Sequence, residues 1–339
     1  MSSSAATTEA PSSLEHDYEA VAAFLSRGSR FLLTGHLGPD GDTLGSCLAL
    51  ARALVREGKE ARVVMREKWS ASCAWLPGVE EVVVTETLPP DWPGGVDGLL
   101  TLECPDAART GFSELSLGTV VNIDHHPGNV RYGALNLVDL SAAAAGEVVA
   151  DLLDLLDWPL DAAIATNLWV ALVSDTGSFR FSSTTPKALA LGARLVEAGA
   201  RPGDVNEALY ESRPARAVAL QGLVLTTLAL HDEGRVATLE LPARFLTETG
   251  AEPADAEGLS NLARSIDGVR AAALFMEKVG GVSVSMRSKR GVDVRAVAAS
   301  HGGGGHRNAA GCEIPGPLST VRERIARELA LAVRAADAS

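Results

Sequence analysis

The stretch FLLTGHLGPDGDTLGSCLALARALVREG, residues 31–58, decides the fold. Phe31-Leu32-Leu33-Thr34 is a short continuous apolar run, the pattern of a buried strand. It leads into a turn-rich segment, Gly35 to Gly41. Apolar residues then recur at helical spacing (Leu44, Cys47, Leu48, Ala51, Leu54 and Val55) until Gly58 stops the helix. A buried strand feeding a helix through a polar loop is the unit of an open α/β sheet, whose sites lie beyond the carboxyl ends of the strands. The loop here is His36-Leu37-Gly38-Pro39-Asp40-Gly41-Asp42, one imidazole and two carboxylates that Gly38, Pro39 and Gly41 fold back on one another. A plainer reading has Asp42 capping the helix and Asp40 stabilising the turn.

Working outward, apolar runs at 61–65, 97–102 and 119–123 predict strands, and Ala/Leu-rich segments predict helices over 143–156, 161–173 and 186–198. Alternation at these lengths implies an α/β fold with a largely parallel N-terminal sheet and helices on both of its faces. The pattern breaks at Gly199-Ala200-Arg201-Pro202-Gly203. Beyond residue 229, strand pairs around Glu233-Gly234 and Gly280-Gly281 mix with helices, predicting a smaller C-terminal α/β domain with a mixed sheet. The expected organisation is a disordered tail at 1–13, a first domain at 14–198, a helical linker at 199–228 and a second domain at 229–339.

The 339 residues suffice for two such domains, and 46% hydrophobic against 22% charged residues can bury a full core. With 43 acidic and 30 basic residues the net charge is −13, which argues against a protein that wraps long nucleic acid through a basic face. Cys47, Cys73, Cys104 and Cys312 form no CxxC pair and read as core or site-lining thiols in a reducing compartment. No apolar run reaches the ~20 residues that span a bilayer. The N-terminus lacks a basic start and an apolar core, so no signal peptide is read and a cytoplasmic location is expected.

Chemistry-bearing groups recur where strands end. Asn122-Ile123-Asp124-His125-His126-Pro127 follows the run Val120-Val121, Glu103-Cys104-Pro105-Asp106 follows Gly98 to Leu102, and Asp175 follows an apolar helix. Asp40, Asp42, Glu103, Asp124 and Asp175, with up to three imidazoles, would repel one another or take up protons in one cleft. Two divalent ions resolve that conflict. Mixed imidazole and carboxylate ligands favour manganese, with magnesium or cobalt as substitutes, and such a pair of ions suits phosphoester hydrolysis. Farther on, His301-Gly302-Gly303-Gly304-Gly305-His306-Arg307 lacks the ending of a Walker loop, but its backbone N–H groups can meet an anion. Arg287 at a strand end and Arg180 after Asp175 are placed to add positive charge.

HLGPDGDTLGS at 36–46, LECPDAARTG at 102–111, DHH at 124–126, SDTGSFRFSSTTP at 174–186 and RS…GGGGHRNAAG within 287–311 resemble, in order, the DHH phosphoesterase superfamily with its associated C-terminal domain. In particular they resemble its oligoribonucleases that also act as 3′-phosphoadenosine 5′-phosphate phosphatases. The resemblance implies that His36 and Asp40 hold one manganese ion and that Asp42, His125 and Asp175 hold the other. Glu103 falls at the bridging position, where similar proteins commonly carry Asp. Asp124 would support the cluster and His126 would meet the scissile phosphate. In the second domain Arg287, Gly303, Gly304, Gly305, His306 and Arg307 would grip the terminal nucleotide. A homodimer acting on short RNA fragments, dinucleotides or 3′-phosphoadenosine 5′-phosphate is implied, with neither long nucleic acid nor membrane as partner. The alternatives are a cyclic-dinucleotide phosphodiesterase, an enzyme like the family II pyrophosphatases, and a non-catalytic nucleotide sensor should Glu103 disable the metal centre.

Overall fold

The structure, a computed structural model, describes residues 13–88, 95–256 and 258–338. The chain forms two compact units divided between Ser212 and Arg213. Residues 1–12 of the expected tail lie outside the described residues. Ser13 is not part of a tail: it caps the first helix, accepting from His16 N at 3.3 Å.

Six strands build the first unit: β1 (Arg30–Thr34), β2 (Glu60–Met65), β3 (Val83–Val84), β4 (Gly98–Leu102), β5 (Thr119–Asp124) and β6 (Leu135–Val138). They form one parallel sheet in the order β3-β2-β1-β4-β5-β6. The chain moves outward from β1 to β3, then restarts on the other side of β1 with β4. That reversal opens a crevice beyond the carboxyl ends of β1 and β4, the place where open α/β sheets bind ligands. The registers Thr34↔Thr101 and Leu102↔Ile123 bring three strand ends level with one another.

The helices of this unit are α1 (Leu14–Arg27), α2 (Gly41–Arg56), α3 (Ala145–Leu155), α4 (Ala162–Asp175), α5 (Pro186–Glu197) and α6 (Pro202–Asn206). Phe31, Leu33, Val63, Met65, Leu100 and Ile123 point to the sheet face that α1 to α5 cover. The opposite face, with Leu32, Val64 and Leu99, is closed by Phe112 and by the loop residues Leu88, Val96, Leu115 and Leu117. Helices on both faces, expected from the alternation, are therefore not found in the described part of this unit. The segments that would have supplied the second layer, 66–82 and 103–118, are broken by Pro77, Gly78, Pro105 and Gly111 into turns and single 3-10 turns.

The helices instead stack in two layers on one face, with α4 packed on α2 and α3. Sandwiched between sheet and α4, α2 is buried nearly all round, and Asp42, Thr43 and Ser46 are buried with it. Its last turn emerges, leaving Val55 54% exposed. Gly45 permits the close crossing, since a Cβ there would stand 2.4 Å from Asn167 O. Gly45→Ala is expected to destabilise the protein by about 1–3 kcal/mol through overpacking, although alanine is by itself the better helix former. Urea denaturation measures the difference; a stabilised variant would mean that the two helices move apart freely.

The second unit contains β7 (Ala229–His231), β8 (Val236–Leu241), β9 (Ala271–Lys278), β10 (Gly281–Ser288), β11 (Gly304–His306) and β12 (Ala309–Pro315). The sheet order is β11-β12-β10-β9-β8-β7; β8 and β9 run parallel and the other neighbours antiparallel. One face packs on α10 (Val294–Ala299) and α11 (Leu318–Asp337). The other packs on α7 (Ala215–Leu225), α8 (Ala243–Thr249) and α9 (Leu259–Ser265). Both expected strand pairs form, turning at 232–235 and at 279–280. The stretch expected as a linker is shared out instead: Ala200 and Val205 enter the first core, Leu220 and Val224 the second.

Candidate metal centre

Beyond β1, Gly35 leads into the loop that carries His36. Asp40 is the N-cap of α2, its Oδ1 accepting from Thr43 N at 3.0 Å. Asp42, in the first turn of α2, is fully buried and serves a different helix. Its oxygens accept from Ala145 N at 2.6 Å and Gly146 N at 2.9 Å, at the start of α3, and from Ser46 Oγ at 2.9 Å. Both carboxylates are thus caps as well as site groups: Asp40, not Asp42, caps α2, and Asp42 caps α3.

Glu103 follows β4 with φ of 58°, a left-handed backbone that turns its side chain toward β1 while its N–H still donates to Ile123 O at 3.0 Å. Such a φ is uncommon outside glycine, asparagine and aspartate. Thr43 Oγ1 donates to Glu103 Oε2, and that same oxygen stands 3.2 Å from His36 Nε2. Asp175 ends α4. The turn after it runs through Gly177, Ser178 and Phe179, all at φ between 55° and 63°. Phe179 packs edge-on to Trp169 at 5.7 Å, and Ser178 Oγ meets Tyr210 OH at 2.9 Å, which hold this turn in place.

Ligand-competent atoms gather in three overlapping groups: His36 with Asp40 and Glu103; Asp42 with Glu103, His125 and Asp175; and Glu103 with His125 and His126. Within each group these atoms lie within 4.8 Å of one another. Glu103 belongs to all three, so its longer arm still reaches both sides of the centre.

The three rings share one orientation. Nδ1 of His36 lies 2.7 Å from Leu37 O, Nδ1 of His125 lies 3.2 Å from Ala142 O, and Nδ1 of His126 lies 2.9 Å from Asp124 Oδ1. A ring whose Nδ1–H donates to such an acceptor presents the lone pair of Nε2, the tautomer a metal needs. Nε2 of His125 is buried with no hydrogen-bond partner, 3.2 Å from Asp175 Oδ2 and 3.7 Å from Asp42 Oδ2. A buried nitrogen of that kind, faced by carboxylates, fits a divalent cation.

The electrostatics agree. Burial, then Asp175 and Glu103, pushes Asp42 well above the carboxylate range; burial and Asp40 raise Glu103. Burial disfavours protonated imidazoles, but Asp40 and Glu103 hold His36 at about 10, and Asp175 and Asp42 hold His125 at about 10. Burial also opposes ionisation of Asp40, yet His36 and Thr43 keep it down to about 2. Without cations the centre carries more negative charge than it can bear and retains protons in their place.

Asp124 is fully buried and stays low against that burial. It accepts from His126 Nδ1, from Asn129 Nδ2 at 2.6 Å and from the backbone N–H groups of His125 and His126. Sequence reasoning missed Thr43, Ser46, Asn129 and the Ala142 carbonyl. Asn129 had a signal, since it sits in the Pro-Gly-Asn turn after the His pair. The carbonyl and the α3 N–H groups had none.

Arg180, in the same unit, is not a member of the metal-competent groups. Arg180 Nε donates to Gly177 O at 2.6 Å and its guanidinium lies 6.0 Å from the Phe181 ring centre, a set of contacts within its own turn. In the second unit Arg287 is the penultimate residue of β10, with Nη1 donating to Met286 O at 3.0 Å. Gly304, Gly305 and His306 form the edge strand β11, paired with Gly311, Ala310 and Ala309, so this half of the glycine run is not a flexible linker. Gly303 precedes it where a Cβ would stand 2.1 Å from Gly311 O. Arg307 Nη2 donates to Gly291 O at 2.9 Å, and the side chain of His306 lies outside what the structure describes. His301, left out of the site, ties to Glu328 on α11 at 2.6 Å.

Residues 30–172 match the DHH family, N-terminal domain, and residues 233–336 match the DHHA1 domain. The chain belongs to the DHH family. It is 37% identical over 306 residues to the bifunctional oligoribonuclease and PAP phosphatase NrnA of Thermus thermophilus, covering 86% of this chain and 89% of that one. With the NrnA of Bacillus subtilis the identity is 28% over 289 residues, covering 84% and 88%. Among solved structures, an exopolyphosphatase-related protein from Bacteroides fragilis has the same fold, with a TM-score of 0.88 at 20% identity over 95% of this chain and 98% of that one. The exonuclease RecJ bound to manganese shares the fold at a TM-score of 0.55 and 16% identity, over 96% and 98%.

Proposed function

We propose that this protein is a manganese-dependent phosphoesterase that hydrolyses short oligoribonucleotides, dinucleotides and 3′-phosphoadenosine 5′-phosphate. The observation that carries the reading is the centre at the β1/β4 reversal, where all three imidazoles have Nδ1 occupied and Nε2 turned toward carboxylates. The likeness to the Thermus and Bacillus relatives, which are named as oligoribonuclease and PAP phosphatase, supports the choice of substrates.

His36 and Asp40 would hold one ion, Asp42, His125 and Asp175 a second, with Glu103 between them. Imidazole and carboxylate without thiolate favour manganese over softer-site metals. When bound, two such ions supply a Lewis-acidic centre that activates water and neutralises charge on the phosphoryl group. His126, its Nδ1 held by Asp124 Oδ1, would turn Nε2 toward the scissile phosphate and assist proton transfer there. In the second unit Arg287 and Arg307 would meet the terminal phosphate, with the backbone of Gly303, Gly304 and Gly305 and the residue His306 beside them. Arg180 would add charge on the side of Asp175. The net charge of −13 suits substrates with few phosphates. No described helix is long and apolar enough to cross a membrane. The protein would act as a homodimer in the cytoplasm.

Purified protein with manganese, magnesium or cobalt, assayed on RNA di- to decanucleotides, cyclic dinucleotides and 3′-phosphoadenosine 5′-phosphate, tests this. Cleavage should be fastest on the shortest RNAs, fall with length and stop with a chelator. Binding without cleavage under every metal would overturn the enzyme reading in favour of a nucleotide sensor.

A further inference from the structure

The loop joining β6 to α3, residues 139–144, contributes no member of the metal-competent groups, yet with the start of α3 it touches two of them. Ala142 O faces His125 Nδ1 at 3.2 Å, and the N–H groups of Ala145 and Gly146 hold both oxygens of Asp42. What fixes this segment is a second set of charged groups behind it. Glu147 is wholly buried; its Oε2 accepts from Ala143 N at 3.1 Å, and its Oε1, with no hydrogen bond, lies 3.2 Å from Lys187 Nζ. Lys187 is shared with Asp151 at 2.6 Å. Tyr18 OH bridges Asp151 Oδ2 at 3.1 Å and Asp139 Oδ2 at 3.2 Å, while Asp139 Oδ1 accepts from Ser141 N at 2.9 Å and Ser141 Oγ at 2.6 Å.

A buried carboxylate with one half-exposed counter-ion is a poor way to stabilise a fold, because its desolvation offsets most of the attraction. It makes sense as a geometric device. The N–H of Ala143 lies just ahead of α3 and donates to no carbonyl of the helix ladder, so a side chain must accept from it. Glu147, one turn later, does so and fixes the plane of the neighbouring Ala142 carbonyl.

We propose that Glu147 is a positioning residue for one half of the metal centre, the group formed by Asp42, His125 and Asp175, and not for the half formed by His36 and Asp40. The latter is anchored elsewhere: Leu37 N donates to Arg109 O at 2.8 Å and Gly38 N to Glu67 Oε2 at 2.9 Å. The inference rests on the metal reading given above and adds an asymmetry that this reading does not contain.

The test is a titration of metal-free full-length protein with Mn2+ alone, following free Mn2+ by electron paramagnetic resonance. Wild type should take up two ions per chain. Glu147→Ala should weaken one of them about tenfold or more, the loss typical of removing a group that orients a ligand, and leave the other unchanged. Glu147→Gln keeps an oxygen for Ala143 N and should restore the weakened site; circular dichroism confirms that both variants fold. Equal affinities in Glu147→Ala and wild type, or equal weakening of both ions, would overturn the proposal. A wild type that binds no manganese would instead defeat the metal reading itself.

Discussion

Asp42→Asn is expected to lower hydrolysis of an RNA dinucleotide by well over about 100-fold, the upper end of what losing a merely orienting group costs at a metal site. Two roles of Asp42 separate in this variant. The carboxylate meets the two α3 N–H groups with separate oxygens, at 2.6 and 2.9 Å, so the single amide oxygen keeps one half of the cap and loses the other. The charge is lost, and with it the attraction for a cation. In the metal-free protein that charge is a burden, because Asp42 is buried beside Asp175 and Glu103 and is pushed up for that reason. Asp42→Asn should therefore raise the metal-free melting temperature while removing activity. Steady-state kinetics with manganese and a thermal melt in chelator read the two effects. Retained turnover would remove Asp42 from the chemistry, and a lowered metal-free melting temperature would show that its cap outweighs its charge.

Metal removal should destabilise the protein more as pH rises. Asp42 and Glu103 have folded-state pKa values above their unfolded ones, so the metal-free fold binds extra protons and loses stability as pH climbs from about 4 through the raised values. His36 and His125 act in the same direction. Each is raised from 6.5 to about 10, so its stabilising contribution is complete below 6.5 and is lost as pH rises through about 10. Asp40 and Asp124 are lowered and act in the opposite direction, but only in the acid range below the ordinary carboxylate value. A bound cation displaces the protons and gains affinity as they leave. Melting temperatures in chelator should fall from about pH 6 to about pH 9, and the gap to the manganese-loaded protein should widen over the same interval. A metal-free melting temperature that rises over this range would contradict the proton-holding cluster.

Much of this was legible before the fold was known. Phe31 to Thr34, the loop to Asp42 and the helix after it read correctly because apolar periodicity and Gly/Pro punctuation are local signals. The same holds for the strand pair around Gly280. The second layer of helices was misjudged because alternation of strands and helices does not say which face a helix takes, and prolines and glycines had already broken the segments needed for the far face. The glycine run at 302–305 reads as a loop with exposed N–H groups; Gly304 and Gly305 in fact begin an edge strand with His306, paired with Gly311, Ala310 and Ala309. Composition alone could not have shown that, since a strand of glycines has no apolar pattern to betray it.

The sequence by itself determined which residue types stand at the ends of β1, β4, β5 and α4, because each polar segment is tied to its own neighbouring apolar run. Only the tertiary structure decided how they converge. The reversal of strand order sets β1 beside β4, the left-handed backbone at Glu103 turns a side chain that no glycine announces, and the Ala142 carbonyl and α3 N–H groups set the aim of His125 and Asp42. The physical reason is that backbone donors and acceptors are the same at almost every residue; their placement is written in the packing of distant segments and not in the letters of the chain.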